Sequence, residues 1–224
     1  MDGSTLFVLQ RTGSFRQHAW RRPPTTLIAG FLGAGKRSLV KHLLASRAGL
    51  RIGLVVNDVA AVNVDGTTLR PLLSNGIEML ELENGCVCCG PDAEKLGPTI
   101  LELLNKTDRD GVPSLDHVVV EISGVADPSN VQGNLAASGV NVHRTISLVD
   151  TNAFPIFFNS TSAMRDHPEL VAEVEGILAA GEEVCEVNEQ VAGLLLRQVE
   201  SADVIIANKI DLATAQELAT TIAI

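Results

Sequence analysis

The sequence predicts an α/β fold, a doubly wound and mainly parallel sheet flanked by helices. Three observations carry that expectation. Short runs rich in Val, Ile and Leu alternate with stretches of helical spacing, the pattern of repeated strand–helix–strand units. Most of these runs are apolar throughout, as strands covered on both faces are. Aromatic residues make up only 3% of the chain and Tyr is absent, so the core must come from small branched side chains, which suit such strands. At 224 residues the chain is long enough for one sizeable core.

The elements follow in order. Residues 1–24 are set apart: Arg11, Arg16, Arg21 and Arg22 stand against one acid, Asp2, among Ser, Thr and Gly. They read as a basic, flexible lead-in or the remnant of an organelle-targeting segment, with no secretory signal. Pro23-Pro24 ends it, and residues 25–224 read as one folded domain. Strands are expected at Thr25–Ala29, Ile52–Val56, Ile77–Glu83, Val118–Ile122, Thr145–Val149 and Val204–Ala207. Helical spacing marks Lys36–Ser46, Asp92–Leu104, Pro128–Ala137, Glu169–Leu178 and Glu189–Val199, and a last helix starts near Thr214. Thr151–Arg165, with Phe154, Phe157 and Phe158, is the least regular stretch and reads as a lid or surface loop. The chain stops inside the last helix without a cap, so a C-terminally truncated domain is expected. Ligands of such a sheet sit at the carboxyl ends of its strands.

Composition excludes some functions. The formal net charge is -10, the wrong balance for neutralising many phosphates, so nucleic acid is not an expected partner. No apolar run reaches the ~18–20 residues that span a bilayer, so no membrane association is expected. Three of the 4 cysteines are packed into Cys86-Val-Cys88-Cys89. That is a poor disulfide framework and a good thiolate cluster, which points to a reducing compartment such as the cytoplasm.

Chemistry concentrates at the predicted strand ends. Gly30-Phe-Leu-Gly33-Ala34-Gly35-Lys36 fits G-x-x-x-x-G-K between a strand and a helix. Its glycines let backbone amides wrap a phosphate at a helix N-terminus, and Lys36 reaches the terminal phosphates. The next position should carry the Ser or Thr whose hydroxyl binds Mg²⁺. It is Arg37, with Ser38 one residue later and so ~100° round the helix. Arg37 neutralises phosphate but cannot ligate a cation, so phosphate binding is better founded than hydrolysis. Asn208-Lys209-Ile-Asp211 follows the last strand and fits the guanine reader N-K-x-D. The Asp211 carboxylate would accept from the ring N–H and exocyclic amine of guanine, a pair of donors that adenine lacks.

Glu121 and Asp127 flank a segment in which Gly124 allows backbone approach to a γ-phosphate, and Glu121 is placed to hold Mg²⁺ or its water. Asn57 and Asp58 end another strand and are candidates to face the metal or the attacking water. Cys86, Cys88 and Cys89 supply up to three of the four ligands that tetrahedral Zn²⁺ takes, and an open fourth position suits transfer. Cys185, His42 and His167 read as structural, and His117 and His143 as strand-start residues rather than ligands.

In order along the chain, GFLGAGK, VVNDVAAVNVDG, ELENGCVCCG, VVVEISGVADP, SLVD and NKID resemble the CobW group of GTPases, related to the HypB and UreG nickel chaperones. The likeness covers residues 25–215. It implies a P-loop NTPase fold that binds GTP and Mg²⁺ and couples GTP hydrolysis to delivery of Zn²⁺ or Co²⁺. The recipient would be a client metalloprotein or cofactor-biosynthesis enzyme. A homodimer is compatible with it. By resemblance, residues 33–38 form the phosphate loop and Glu121 is the Walker-B-like acid. Asn208 and Asp211 read guanine, Asp58 is a switch acid and the three cysteines are the metal motif. Ala61 stands where some members carry Glu, and Arg37 replaces the family's Thr. That last departure motivates a second reading, a guanine-nucleotide or metal sensor with impaired turnover. NKID argues against a third, an ATP-using enzyme.

Overall fold

The structure, a computed structural model, describes residues 7–10, 22–46, 49–58, 77–83, 91–167 and 189–223. Strands β1 (Phe7–Gln10), β2 (Thr25–Gly30), β3 (Ile52–Asp58), β4 (Ile77–Glu83), β5 (His117–Glu121), β6 (Val142–Asp150) and β7 (Val204–Asn208) form one sheet in the order β1-β7-β6-β2-β5-β3-β4. Only the β1–β7 pairing is antiparallel. Helices α1 (Lys36–Ala45), α2 (Pro91–Asn105), α3 (Pro128–Ala137), α4 (Phe154–Phe158), α5 (Val191–Glu200) and α6 (Ala215–Ala223), with a 3-10 turn at Met164–Asp166, complete the described elements. The doubly wound parallel sheet expected from the sequence is what the chain forms.

The central strand explains the layering. All six residues of β2 are buried, and its alternate side chains serve opposite cores. Leu27 and Ala29 join Leu96, Ile100, Leu103, Val131 and Leu135 under α2 and α3. Ile28 joins Val40, Leu44, Leu54 and Val119 under α1. A third cluster, with Phe31, Val149, Phe154, Leu194 and Leu195, seats α4 and α5 beside the loop that leaves β2. A strand buried on both faces has no polar side to show, which is why it read as a continuous apolar run.

Three features depart from the sequence reading. β1 lies within the segment read as a flexible lead-in, where no element was placed. Its four residues, Phe-Val-Leu-Gln, are too few to announce a strand, and they pair only along the edge of β7. The irregular stretch after β6 contains the five-residue helix α4, with Pro155 in its first turn, where the missing amide costs nothing. β6 begins at Val142, three residues before the expected Thr145, because its polar start is held by pairing with β2 rather than by hydrophobicity. The helix expected at residues 169–178 lies outside the described residues.

β2 has β5 on one side and β6 on the other. The chain leaves it toward β3 and later returns to β6, so the carboxyl end of β2 is a topological switch point. That is where ligands of open parallel sheets bind.

Candidate nucleotide site

The glycine loop is shaped as the motif requires. Gly30, Gly33 and Gly35 have φ of 134°, 69° and 101°, backbone that side chains rarely tolerate. Gly35 is also the N-cap of α1, and no side chain caps that helix end. A helix N-terminus left without a side-chain cap is the kind of end that receives an anion. Lys36 is 9% exposed, and its Nζ donates to Gly30 O at 2.7 Å and Phe31 O at 3.2 Å. The ammonium is thus folded over the loop that a phosphate would enter. Ala34 is fully buried. The cradle fits the phosphates of a nucleotide.

It does not fit the usual Mg²⁺ ligand set. Arg37 occupies the hydroxyl position, half-buried in the first turn, and Ser38 is exposed on the following position. Glu121 ends β5 at 4% exposure, in register with Ile28 of β2 and Val56 of β3. Its register places it two residues short of Gly30, where the loop begins.

The NKID segment is joined directly to the glycine loop. Asn208 Nδ2 donates to Ala34 O at 2.9 Å. A Cβ added to Gly35 would overlap the same amide nitrogen. Lys209 takes φ +57°, the left-handed region, and its Nζ pairs with Asp150 Oδ2 at 2.6 Å. Asp150 Oδ1 accepts from the amides of Asn152 and Ala153. Thr151 N and Oγ1 both donate to Asn208 O, at 3.0 and 2.7 Å. Asp211 is exposed and open to a base.

Asp150 and Thr151 therefore brace the NKID loop, and no role was expected for them from the sequence. The signal was the polar pair ending the SLVD strand.

The loop after β5 closes the third side. Gly124 approaches the phosphate loop so closely that an added Cβ would lie 2.7 Å from Leu32 N. Asp127 is 5% exposed and caps α3 by accepting from Ser129 N at 2.8 Å. Asp58 ends β3 opposite Glu83 of β4, and both reach the same sheet edge as Gly30. Cys86, Cys88 and Cys89 lie outside the described residues, as does Ala61. The cysteine segment starts just past Glu83, at the carboxyl end of β4.

The remaining expectations on polar residues can be located. His167 pairs with Ser162 Oγ at 2.6 Å and meets the Phe157 ring edge-on. His117 pairs with Thr26 Oγ1 at 2.8 Å, and His143 Nδ1 accepts from Thr25 N at 3.0 Å. Both sit at the amino ends of their strands, away from the nucleotide edge. Burial holds both imidazoles below the usual histidine pKa, and His143 adds charge repulsion at His117.

The family model for the CobW/HypB/UreG nucleotide-binding domain matches residues 24–223. The chain belongs to this family. It is 32% identical over 205 residues to a protein named zinc chaperone CobW from Sinorhizobium, covering 87% of this chain and 53% of the relative. To the zinc chaperone CobW of Pseudomonas aeruginosa it is 30% identical over 206 residues, covering 88% and 51%. The chain thus spans about half the length of these curated relatives. The crystal structure of the hydrogenase maturation factor HypB from Archaeoglobus fulgidus superposes with a TM-score of 0.40 and 16% identity, covering 78% of each chain. A likeness at that level carries no argument about function. In this chain the glycine loop, the Glu121–Asp127 segment and the NKID loop all follow the carboxyl ends of parallel strands. Among the described residues no helix is long and apolar enough to cross a membrane.

Proposed function

We propose that this chain is the GTP-binding domain of a metal chaperone, coupling GTP binding and hydrolysis to transfer of zinc or cobalt to a client protein. In this reading Gly30, Gly33, Ala34, Gly35 and Arg37 surround the phosphates, and Ser38 follows them on α1. Lys36 leaves the carbonyls of Gly30 and Phe31 for the terminal phosphates. Gly124 offers its backbone to the γ-phosphate. Asn208, Lys209 and Asp211 form the guanine loop. Glu121 is the carboxylate for Mg²⁺, which when bound neutralises charge developing between the β- and γ-phosphates. Asp58 is the switch acid. Cys86, Cys88 and Cys89 carry the cargo metal as thiolates. The client is a metalloprotein or a cofactor-biosynthesis enzyme, and the reduced thiols suit the cytoplasm.

The nucleotide half is supported by the Asn208–Ala34 hydrogen bond, which joins the NKID segment to the glycine loop. The metal half is supported by topology. β4 lies three places from β2 in the sheet, about 14 Å at ~4.8 Å per strand, and both run the same way. The cysteine segment therefore begins on the nucleotide's edge of the molecule. Titrating GTP and Zn²⁺ into the purified chain, separately and together, tests both halves. Tighter Zn²⁺ binding with GTP than with GDP, lost in Cys88→Ser/Cys89→Ser, is expected. Zn²⁺ affinity indifferent to both the nucleotide and the double substitution would refute the chaperone reading.

Arg37 favours a second reading, a sensor that binds nucleotide and metal without turnover. The residue sits where a Mg²⁺-binding hydroxyl is needed, and no hydroxyl replaces it in the first turn at the same angle. Phosphate release by the wild type at ordinary GTPase rates defeats it.

A further inference from the structure

Helix α5 carries two polar side chains that its amphipathic pattern does not require. Gln198 is 1% exposed, among Val191, Leu194, Leu195 and Val199. An amide buried there costs desolvation that Leu or Met would avoid. Its Nε2 donates to Gly124 O at 3.0 Å and to Ala126 O at 3.2 Å. Two carbonyl acceptors fix the amide's orientation, because the reverse would set oxygen against oxygen. Its Oε1 makes no hydrogen bond among the described residues.

The preceding residue grips the same loop. Arg197 Nε pairs with Asp127 Oδ2 at 2.6 Å, while its terminal nitrogens fork onto the carboxylate of Glu189. Consecutive residues of one helix thus hold Gly124, Ala126 and Asp127, three points on the loop after β5. From the opposite side Gly124 presses on Leu32 of the phosphate loop. The loop is pinned between α5 and the phosphate cradle. Glu189 extends the grip, since Glu189 O accepts from Met164 N at 3.0 Å and Ser162 O accepts from Val191 N at 3.2 Å.

We infer that Gln198 and Arg197 are positioning residues that hold the loop after β5 against the phosphate cradle and so set the discrimination between GTP and GDP. The inference rests on the guanine-nucleotide reading above. A loop pre-set by α5 meets the terminal phosphate without first being ordered, and that phosphate is the one feature GDP lacks. Loss of the grip therefore penalises the triphosphate selectively.

The test measures affinities for GDP and for a non-hydrolysable GTP analogue, with melting temperature in parallel, for the full chain and its Gln198→Met, Arg197→Met and Arg197→Lys variants. Gln198→Met keeps the volume and removes both donors. It is expected to weaken the analogue about tenfold, the scale of two neutral hydrogen bonds, and GDP by less than about twofold. Arg197→Met should act in the same direction. Arg197→Lys, which keeps the charge on Asp127, should recover part of the loss. Should Gln198→Met fail to fold, the Arg197 pair carries the same comparison. Equal weakening of both nucleotides, or none, overturns the inference while leaving the guanine reading intact. A wild type that binds neither nucleotide overturns both.

Discussion

The contact between Gly35 and Asn208 gives a prediction whose size can be worked out. In Gly35→Ala two penalties arise. The backbone keeps φ near 101°, which costs a residue with a side chain about 2 kcal/mol. The new methyl also lands on the Asn208 amide and expels it from Ala34 O, for about 1 kcal/mol more. The total is about 3 kcal/mol. Asn208→Ala alone loses the hydrogen bond, about 1 kcal/mol. In the double variant the methyl has nothing to expel, so the hydrogen bond is lost only once. The pair should then cost about 3 kcal/mol rather than the additive ~4, a coupling of about 1 kcal/mol. Urea unfolding of the four proteins measures it. Guanine-nucleotide affinity should fall in all three variants, because the link between reader and cradle is gone in each. Strict additivity would refute the claim that Gly35 is required by the approach of Asn208.

Three further outcomes follow from other contacts. His117 and His143 have folded pKa values below their ordinary 6.5, so below that pH the unfolded chain binds more protons than the folded one. Stability is then full above pH 6.5 and declines as pH falls through the lowered values. A urea midpoint that is flat from pH 8 to about 5 contradicts this, and His117→Asn with His143→Gln should flatten the wild-type slope. Lys209→Ala removes the partner of Asp150 and keeps a β-carbon at a left-handed backbone position. Guanine-nucleotide affinity is expected to fall about fivefold, roughly 1 kcal/mol, with Asp150→Asn showing a similar loss in the same calorimetric assay. Arg37→Thr restores a hydroxyl beside Lys36 and should raise GTP turnover by about tenfold or more, read as phosphate release. An unchanged rate would mean that Arg37 does not limit the chemistry.

What the sequence disclosed and what it withheld have physical reasons. The central strands were legible because burial on both faces leaves an apolar run with no alternative reading, as in Thr25–Gly30 and His117–Glu121. The glycine loop was legible because positive φ at three positions demands Gly. Element starts made of polar residues were not, since Val142 to Arg144 belong to β6 only through their register with β2. β1 was missed for the same reason, being defined by a partner nearly 200 residues away in sequence. In the site, the motif residues were found one by one, but their joining was not. Nothing in NKID says that Asn208 reaches Ala34, or that Asp150 and Thr151 brace the loop. Gln198 was hidden in a helix whose spacing marked the position simply as core.

On the proposed reading, the strand order also says how a nucleotide could act on a metal. β3 lies between β5, which ends in Glu121, and β4, which leads to the cysteines. Its Val56 is in register with Glu121, and two residues later its Asp58 is in register with Glu83. One strand therefore neighbours both Glu121 and the start of the cysteine segment. A parallel sheet is stiff along its hydrogen bonds, so β3 itself is a poor candidate for motion. What differs between nucleotide states, on this reading, is the arrangement of the segments that follow the strand ends. Coupling would then pass from the loop after β5 to the segment after Asp58, and from there to the segment after Glu83. By linkage, a metal that favours one arrangement of those segments must tighten the nucleotide that favours the same one. That reciprocity separates a coupled switch from two unrelated sites on one edge. Zn²⁺ should sharpen the preference for GTP over GDP by the same factor by which GTP sharpens the affinity for Zn²⁺.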